Sequence, residues 1–116
     1  MNTYTSEKRI QAEAFQRAWN LYPQTRRLIF HVPNGGSRNK IEGMQLKAQG
    51  VVAGIPDILF LWKGKLYAFE FKTSNGKLSE SQMKVHTTWT DHGAAPFIVR
   101  SPDEFVSLIG KIIDNN

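Results

Sequence analysis

The stretch PDILFLWKGKLYAFEFK, residues 56–72, decides the fold. Asp57 to Trp62 and Lys65 to Lys72 are two runs rich in Ile, Leu, Phe, Tyr and Trp, the residue types that fill a pleated surface. Only Lys63-Gly64 separates them, which predicts a tight two-residue hairpin. The apolar character is nearly unbroken and predicts central strands covered on both faces. Side chains alternate along a strand, so Asp57, Leu59 and Leu61 share one face, and Leu66, Ala68, Glu70 and Lys72 share a face of the next. With Lys63 and Gly64 as the loop, Trp62 pairs with Lys65. Counting back sets Asp57 opposite Glu70, their β-carbons roughly 5 Å apart. A divalent cation can bridge two carboxylates at that spacing. Among Ile58, Phe60, Phe69 and Phe71 the two acids repel and lose hydration, so they need a neutralising partner. Lys72 supplies one positive charge and a metal ion two. A salt-bridged cluster at a sheet end is the plainer alternative, and the apolar flanks weigh against it.

Working outward, Ser6 to about Tyr22 reads as an amphipathic helix, with Thr5 or Ser6 as its cap and Pro23 ending the run. Leu28 to Val32 is strand-like and leads into Pro33-Asn34-Gly35-Gly36-Ser37, a loop. Lys40 to Gln49 reads as a second helix closed by Gly50. Ser79 to His92 is a third, with Ser79 and Gln82 spaced as a capping box and Gly93 at its end. Pro96 to Arg100 is a fourth strand, and Ser101-Pro102-Asp103-Glu104 opens the last helix. The order α, β, α, β, β, α, β, α predicts an α/β fold, a mixed central sheet of about four strands flanked by helices.

The first helix offers a third acid. At about 100° per residue Glu7 falls near the middle of the apolar face, with Gln11 one turn on, whereas Glu13 falls on the opposite side. A favourable interaction with the helix N-terminus is the plainer reading of Glu7, but an acid on the buried face suits a site.

With 116 residues, 41% hydrophobic and 22% charged, the chain suits one soluble globular domain over residues 1–116. The N-terminus lacks the apolar core of a signal peptide and no run approaches membrane-spanning length, which predicts a cytoplasmic protein without membrane contact. The absence of cysteine excludes thiolate metal sites, thiol nucleophiles and disulfides, so a metal must rest on oxygen or imidazole and hard cations are favoured. A net charge of +5 and a pI near 9.7 suit a polyanion-binding surface.

These residues carry a resemblance. The chain resembles the VRR-NUC group of the PD-(D/E)xK nuclease superfamily in Glu7 to Gln11, His31 to Gly36, Gly50 to Asp57, Phe69 to Lys72 and Leu78 to Gln82, with Gly93 after the helix. The segments stand in the family's order over nearly the whole chain. No accessory domain accompanies them, so the resemblance is to stand-alone phage and bacterial members rather than to the large eukaryotic Fanconi-associated nuclease. It implies a restriction-endonuclease-like core in a bacterial or phage-infected cell. It further implies Mg²⁺ or Mn²⁺ held by Asp57, Glu70 and the Phe71 main-chain carbonyl, with Glu7 completing the site directly or through water. Lys72 would orient the attacking water and offset charge at the phosphorane, and Gln82 would support the site from its helix.

Phosphate contacts are expected from the loop Asn34, Gly35, Gly36 and Ser37 and from Arg38, Lys40, Lys47, Lys65 and Lys77, though each lysine alone reads most simply as solvated surface. His86 lies one turn beyond Gln82 and could line the site, though a partly buried structural histidine is the simpler reading, and His31 and His92 are read the same way. Trp19, Trp62 and Trp89 suit packing better than base stacking. Stand-alone members resemble dimeric enzymes that cut four-way DNA junctions. The expectation is therefore a homodimeric Holliday junction resolvase, with a flap, nick or single-strand nuclease and a catalytically silent DNA-binding protein as alternatives.

Overall fold

Lys63 and Gly64 both stand at positive φ, +48° and +83°, the sign pattern of the type I′ turn whose twist matches that of the flanking strands. The computed structural model, which describes residues 6–33 and 40–115, builds outward from this turn. Strands β2 (Ile58–Trp62) and β3 (Lys65–Phe71) pair antiparallel from Trp62↔Lys65 to Ile58↔Phe69. Strand β1 (Ile29–His31) pairs antiparallel with β2, and β4 (Ala95–Val99) pairs parallel with β3, so the sheet order is β1-β2-β3-β4. The parallel pair needs a crossover, which α3 (Glu80–Asp91) supplies. Helices α1 (Glu7–Leu21), α2 (Lys40–Ala48) and α4 (Pro102–Asp114), with a 3₁₀ turn at Pro23–Thr25, complete the mixed α/β fold.

The core lies on one face of the sheet. Ile58, Phe60, Phe69, Phe71 and Val99 are buried there against Ile10, Ala14 and Ala18 of α1 and Phe105, Ile109 and Ile112 of α4. Phe69 meets Phe105 edge to face at 4.9 Å between centroids, and each phenylalanine so buried contributes about 2 kcal/mol. An ion pair between Arg17 and Asp103, at 2.6 Å, ties α1 to α4 at the surface.

The opposite face corrects one expectation, that the hairpin strands are covered on both sides. That holds for β3 from Ala68 to Phe71, all buried, but Leu61 of β2 is 48% exposed and Phe30 of β1 45%. The helix on this side, α3, lies against β4, the far edge of the sheet from β1 and β2. A continuous apolar run therefore recorded a half-covered strand. Helix α2 buries no residue, and its Ile41 and Met44 are exposed. No helix among the described residues is long and apolar enough to cross a membrane.

Local capping sets the helices that frame the sheet. The Ser6 hydroxyl accepts from the Arg9 N–H at the start of α1, and Ser101 does the same from Glu104 at the start of α4, where proline takes the first turn. At α3, Ser79 and Gln82 form the reciprocal box: the Ser79 hydroxyl accepts from the Gln82 N–H and Gln82 Oε1 accepts from the Ser79 N–H. Gly54, at φ +89°, brings the loop before Asp57 against this first turn so closely that a β-carbon there would lie 2.5 Å from the Ser81 main chain.

Candidate active site

The ladder between β2 and β3 ends at Ile58↔Phe69, and the next step in the same register is Asp57 and Glu70. Asp57 Oδ2 accepts the Phe71 N–H at 2.8 Å, which fixes the carboxylate across the end of β3. Its carboxylate also hydrogen-bonds the Glu70 carboxyl. Glu70 is 2% exposed and Lys72, just past the end of the strand, 7%. Burial foremost, then the hydrogen bond and charge of Asp57, push the Glu70 carboxyl up to about 9, and the Lys72 charge offsets only part of this. Without an ion, Glu70 therefore keeps its proton at neutral pH. The two acids sit at the same end of the neighbouring strands β2 and β3 in a state that favours one negative charge over two.

Lys72 is held by what surrounds it. Its N–H donates to the Val99 carbonyl at 3.0 Å, extending the pairing with β4. The following loop is fastened by Arg100, whose Nη1 donates to the carbonyls of Thr73 at 2.6 Å and Gly76 at 2.8 Å, with Ser74 at 3.3 Å.

His86 reaches the site, which its spacing alone had not favoured. Its Nε2 stands 3.7 Å from Glu70 Oε1, and both atoms are buried without a hydrogen-bond partner. Burial and then the Lys72 charge hold the imidazole below the usual histidine range, so the contact is not an ion pair. The sequence signal was the four-residue step from Gln82, which puts His86 one turn further along the same helix face.

The rim is a cleft of about 390 Å³ lined by Glu7, Lys8, Gln11, Ala12, His31, Pro33 and Asp57. Glu7 is exposed at the N-terminal end of the ridge formed by Ile10, Ala14 and Ala18, and its charge is the weakest of the influences on Glu70. Glu13 lies elsewhere, 3.8 Å from Arg17. Gln82 engages Oε1 in the cap of α3. Lys40 and Lys47 are exposed at the two ends of α2, and Lys77 is exposed on the loop before α3. Lys65 begins β3, five residues and so about 17 Å from Glu70, with its Nζ 5.6 Å from the Tyr67 ring. Asn34, Gly35, Gly36, Ser37 and Arg38 lie outside the described residues.

Among the described residues no group of three or more His, Cys, Asp or Glu side chains converges on one point. A cation here would rest on two carboxylates, with main-chain oxygen and water making up the rest. That is the ordinary donor set of Mg²⁺, which keeps several waters, and Glu70 Oε1 is a buried oxygen with a coordination position to offer.

The model of the VRR-NUC domain matches residues 3–102. The chain belongs to the VRR-NUC family. A solved structure titled VRR_NUC domain protein superposes with a TM-score of 0.78, covering 93% of this chain and 88% of that one at 19% identity, which shows the same fold. No curated protein matches the chain by sequence. The fold of the family is of nuclease type.

Proposed function

We propose that this VRR-NUC chain is a Mg²⁺- or Mn²⁺-dependent, structure-selective DNA endonuclease that hydrolyses phosphodiester bonds and acts as a homodimer on four-way junctions. The observation that carries it is the half-buried Asp57 hydrogen-bonded to the buried Glu70 beside the buried Lys72, an arrangement of acids that asks for positive charge. Asp57, Glu70 and the Phe71 carbonyl would hold the cation, and Glu7, exposed on the rim, would act through water. When bound, the ion activates water and polarises the scissile phosphate. Asp57 would enter that role prepositioned by the Phe71 N–H, and Glu70 would have to ionise to serve as a ligand. The Lys72 ammonium orients the attacking water and offsets the charge that grows on phosphorus-bound oxygen.

The net charge of +5 suits DNA, with Lys40, Lys47, Lys77, Arg38 and the Asn34 to Ser37 loop as phosphate contacts. The uncovered Ile41, Met44, Val51 and Val52 on α2 and the loop after it support pairing of two chains. Wild type, Asp57→Ala and Lys72→Ala should be compared on four-way junction, flap, nicked and single-stranded DNA with Mg²⁺, Mn²⁺ or chelator. Paired symmetric cuts of the junction, lost in both variants and in chelator while DNA binding stays within a few-fold, are expected. Cuts confined to flaps, nicks or single strands would replace the junction by those substrates. Cleavage unchanged in both variants, or none by wild type, would sink the nuclease reading.

A further inference from the structure

Asp57 lies one residue before β2, where the regular ladder with β3 has stopped. Its carbonyl nonetheless has two partners on the β1 side: the Val32 N–H at 2.9 Å and His31 Nδ1 at 2.7 Å. That second distance sets the tautomer of His31. Two lone pairs repel at 2.7 Å, so Nδ1 carries a proton and donates to the carbonyl. Gln11 Nε2 stands 2.9 Å from the same Nδ1, and since an Nδ1 that donates cannot also accept, the amide is assigned the flipped orientation, its oxygen toward the ring and sharing the N–H with Asp57.

We infer that His31 is a positioning residue of the candidate nuclease centre, holding Asp57 by its main chain while Gln11 fixes the ring from α1; this rests on the nuclease reading above. Asp57 is then fastened from three directions. Phe71 N–H holds the carboxylate, Val32 N–H and His31 hold the carbonyl, and a metal-ligating acid needs its position kept to within about 0.5 Å. The same contact ties α1 to the sheet, one helical turn from Glu7, so Glu7 and Asp57 face the cleft at a set separation. His31 is itself exposed, and losing an exposed hydrogen bond changes global stability little. Its effect belongs to the geometry of the site.

Three substitutions separate the atoms. His31→Asn keeps an N–H donor where Nδ1 stands, His31→Gln puts one where Nε2 stands, and His31→Ala removes both. Each is measured for Mn²⁺ affinity by electron paramagnetic resonance titration, for kcat and KM on a cleaved DNA substrate, and for melting temperature. His31→Ala should lose about 10- to 100-fold in Mn²⁺ affinity or kcat with KM for DNA little changed, the range seen when groups supporting a metal ligand are removed. Its melting temperature should stay within a few degrees. His31→Asn should recover most of the loss and His31→Gln little of it. Gln11→Ala should move the same readouts less far.

Wild-type values in His31→Ala would overturn the inference, as would rescue by His31→Gln rather than His31→Asn, which would place the action at Nε2. Asp57→Ala is measured alongside. If wild type neither binds Mn²⁺ nor cleaves, the nuclease reading itself fails; if only Asp57→Ala is impaired, the role of His31 alone falls.

Discussion

Glu70→Gln exchanges a buried carboxyl for a neutral group of the same shape, and the ion-free protein should become more stable for it. In the folded chain the carboxyl stands near 9 rather than at the usual 4.5, because it is buried against Asp57. A carboxyl held higher in the folded than in the unfolded chain favours the fold at low pH. That support is full below about 4.5 and drains away as pH rises toward 9, since the unfolded chain sheds the proton and the folded chain does not. At pH 7 the gap spans about 2.5 pH units, or about 3 kcal/mol at 1.36 kcal/mol per unit. Glutamine carries no such burden, and its amide can donate to the Asp57 carboxylate and toward His86 Nε2. In chelator, thermal melts followed by circular dichroism should show wild type and Glu70→Gln nearly level at pH 5. By pH 7 the variant should lead by roughly 10 °C, about 4 °C per kcal/mol for a domain of this size. If the proposed metal site holds, saturating Mn²⁺ should shrink that lead, because an ion there would stabilise wild type through a carboxylate that the variant lacks. A gap that does not change between pH 5 and 8, or a wild type that gains stability as pH rises, would refute the reasoning.

Gly54→Ala should destabilise the fold by about 2 kcal/mol or more in urea denaturation, since the residue sits at positive φ and its new β-carbon would meet the Ser81 main chain at 2.5 Å. Ser79→Ala should lose about 1 kcal/mol in the same assay by opening the capping box of α3, and cleavage should fall by less than the loss seen on removing Lys72.

The register at the site was legible because one local feature determines it. A two-residue loop permits only one pairing of Trp62 with Lys65, and from that pair the opposition of Asp57 and Glu70 is arithmetic. Caps at Ser6, Ser79 and Ser101 were legible for the same reason, since each depends on residues within one turn. What lay beyond the sequence depends on contacts between distant segments. Nothing in the run Asp57 to Trp62 says that α3 lies over β4 and leaves Leu61 uncovered. The role of Gln82 in its own cap was visible, but the approach of His86 to Glu70 required knowing which face of α3 turns to the sheet. His31 gave the weakest signal. Its contact with Asp57 depends on β1 pairing with β2 across 26 residues of chain, a separation that no periodicity encodes.

Strand β3 has a neighbour on each side, β2 antiparallel and β4 parallel, and both Glu70 and the amide that grips Asp57 belong to it. Amides in such a strand exchange with solvent only when the whole domain opens, whereas Glu7 at the start of α1 sits where helices fray. Heating should therefore leave the two acids in place until the domain melts as a unit. Inactivation and unfolding would then follow one temperature curve, and any earlier decline in turnover would report the rim at α1 rather than the sheet.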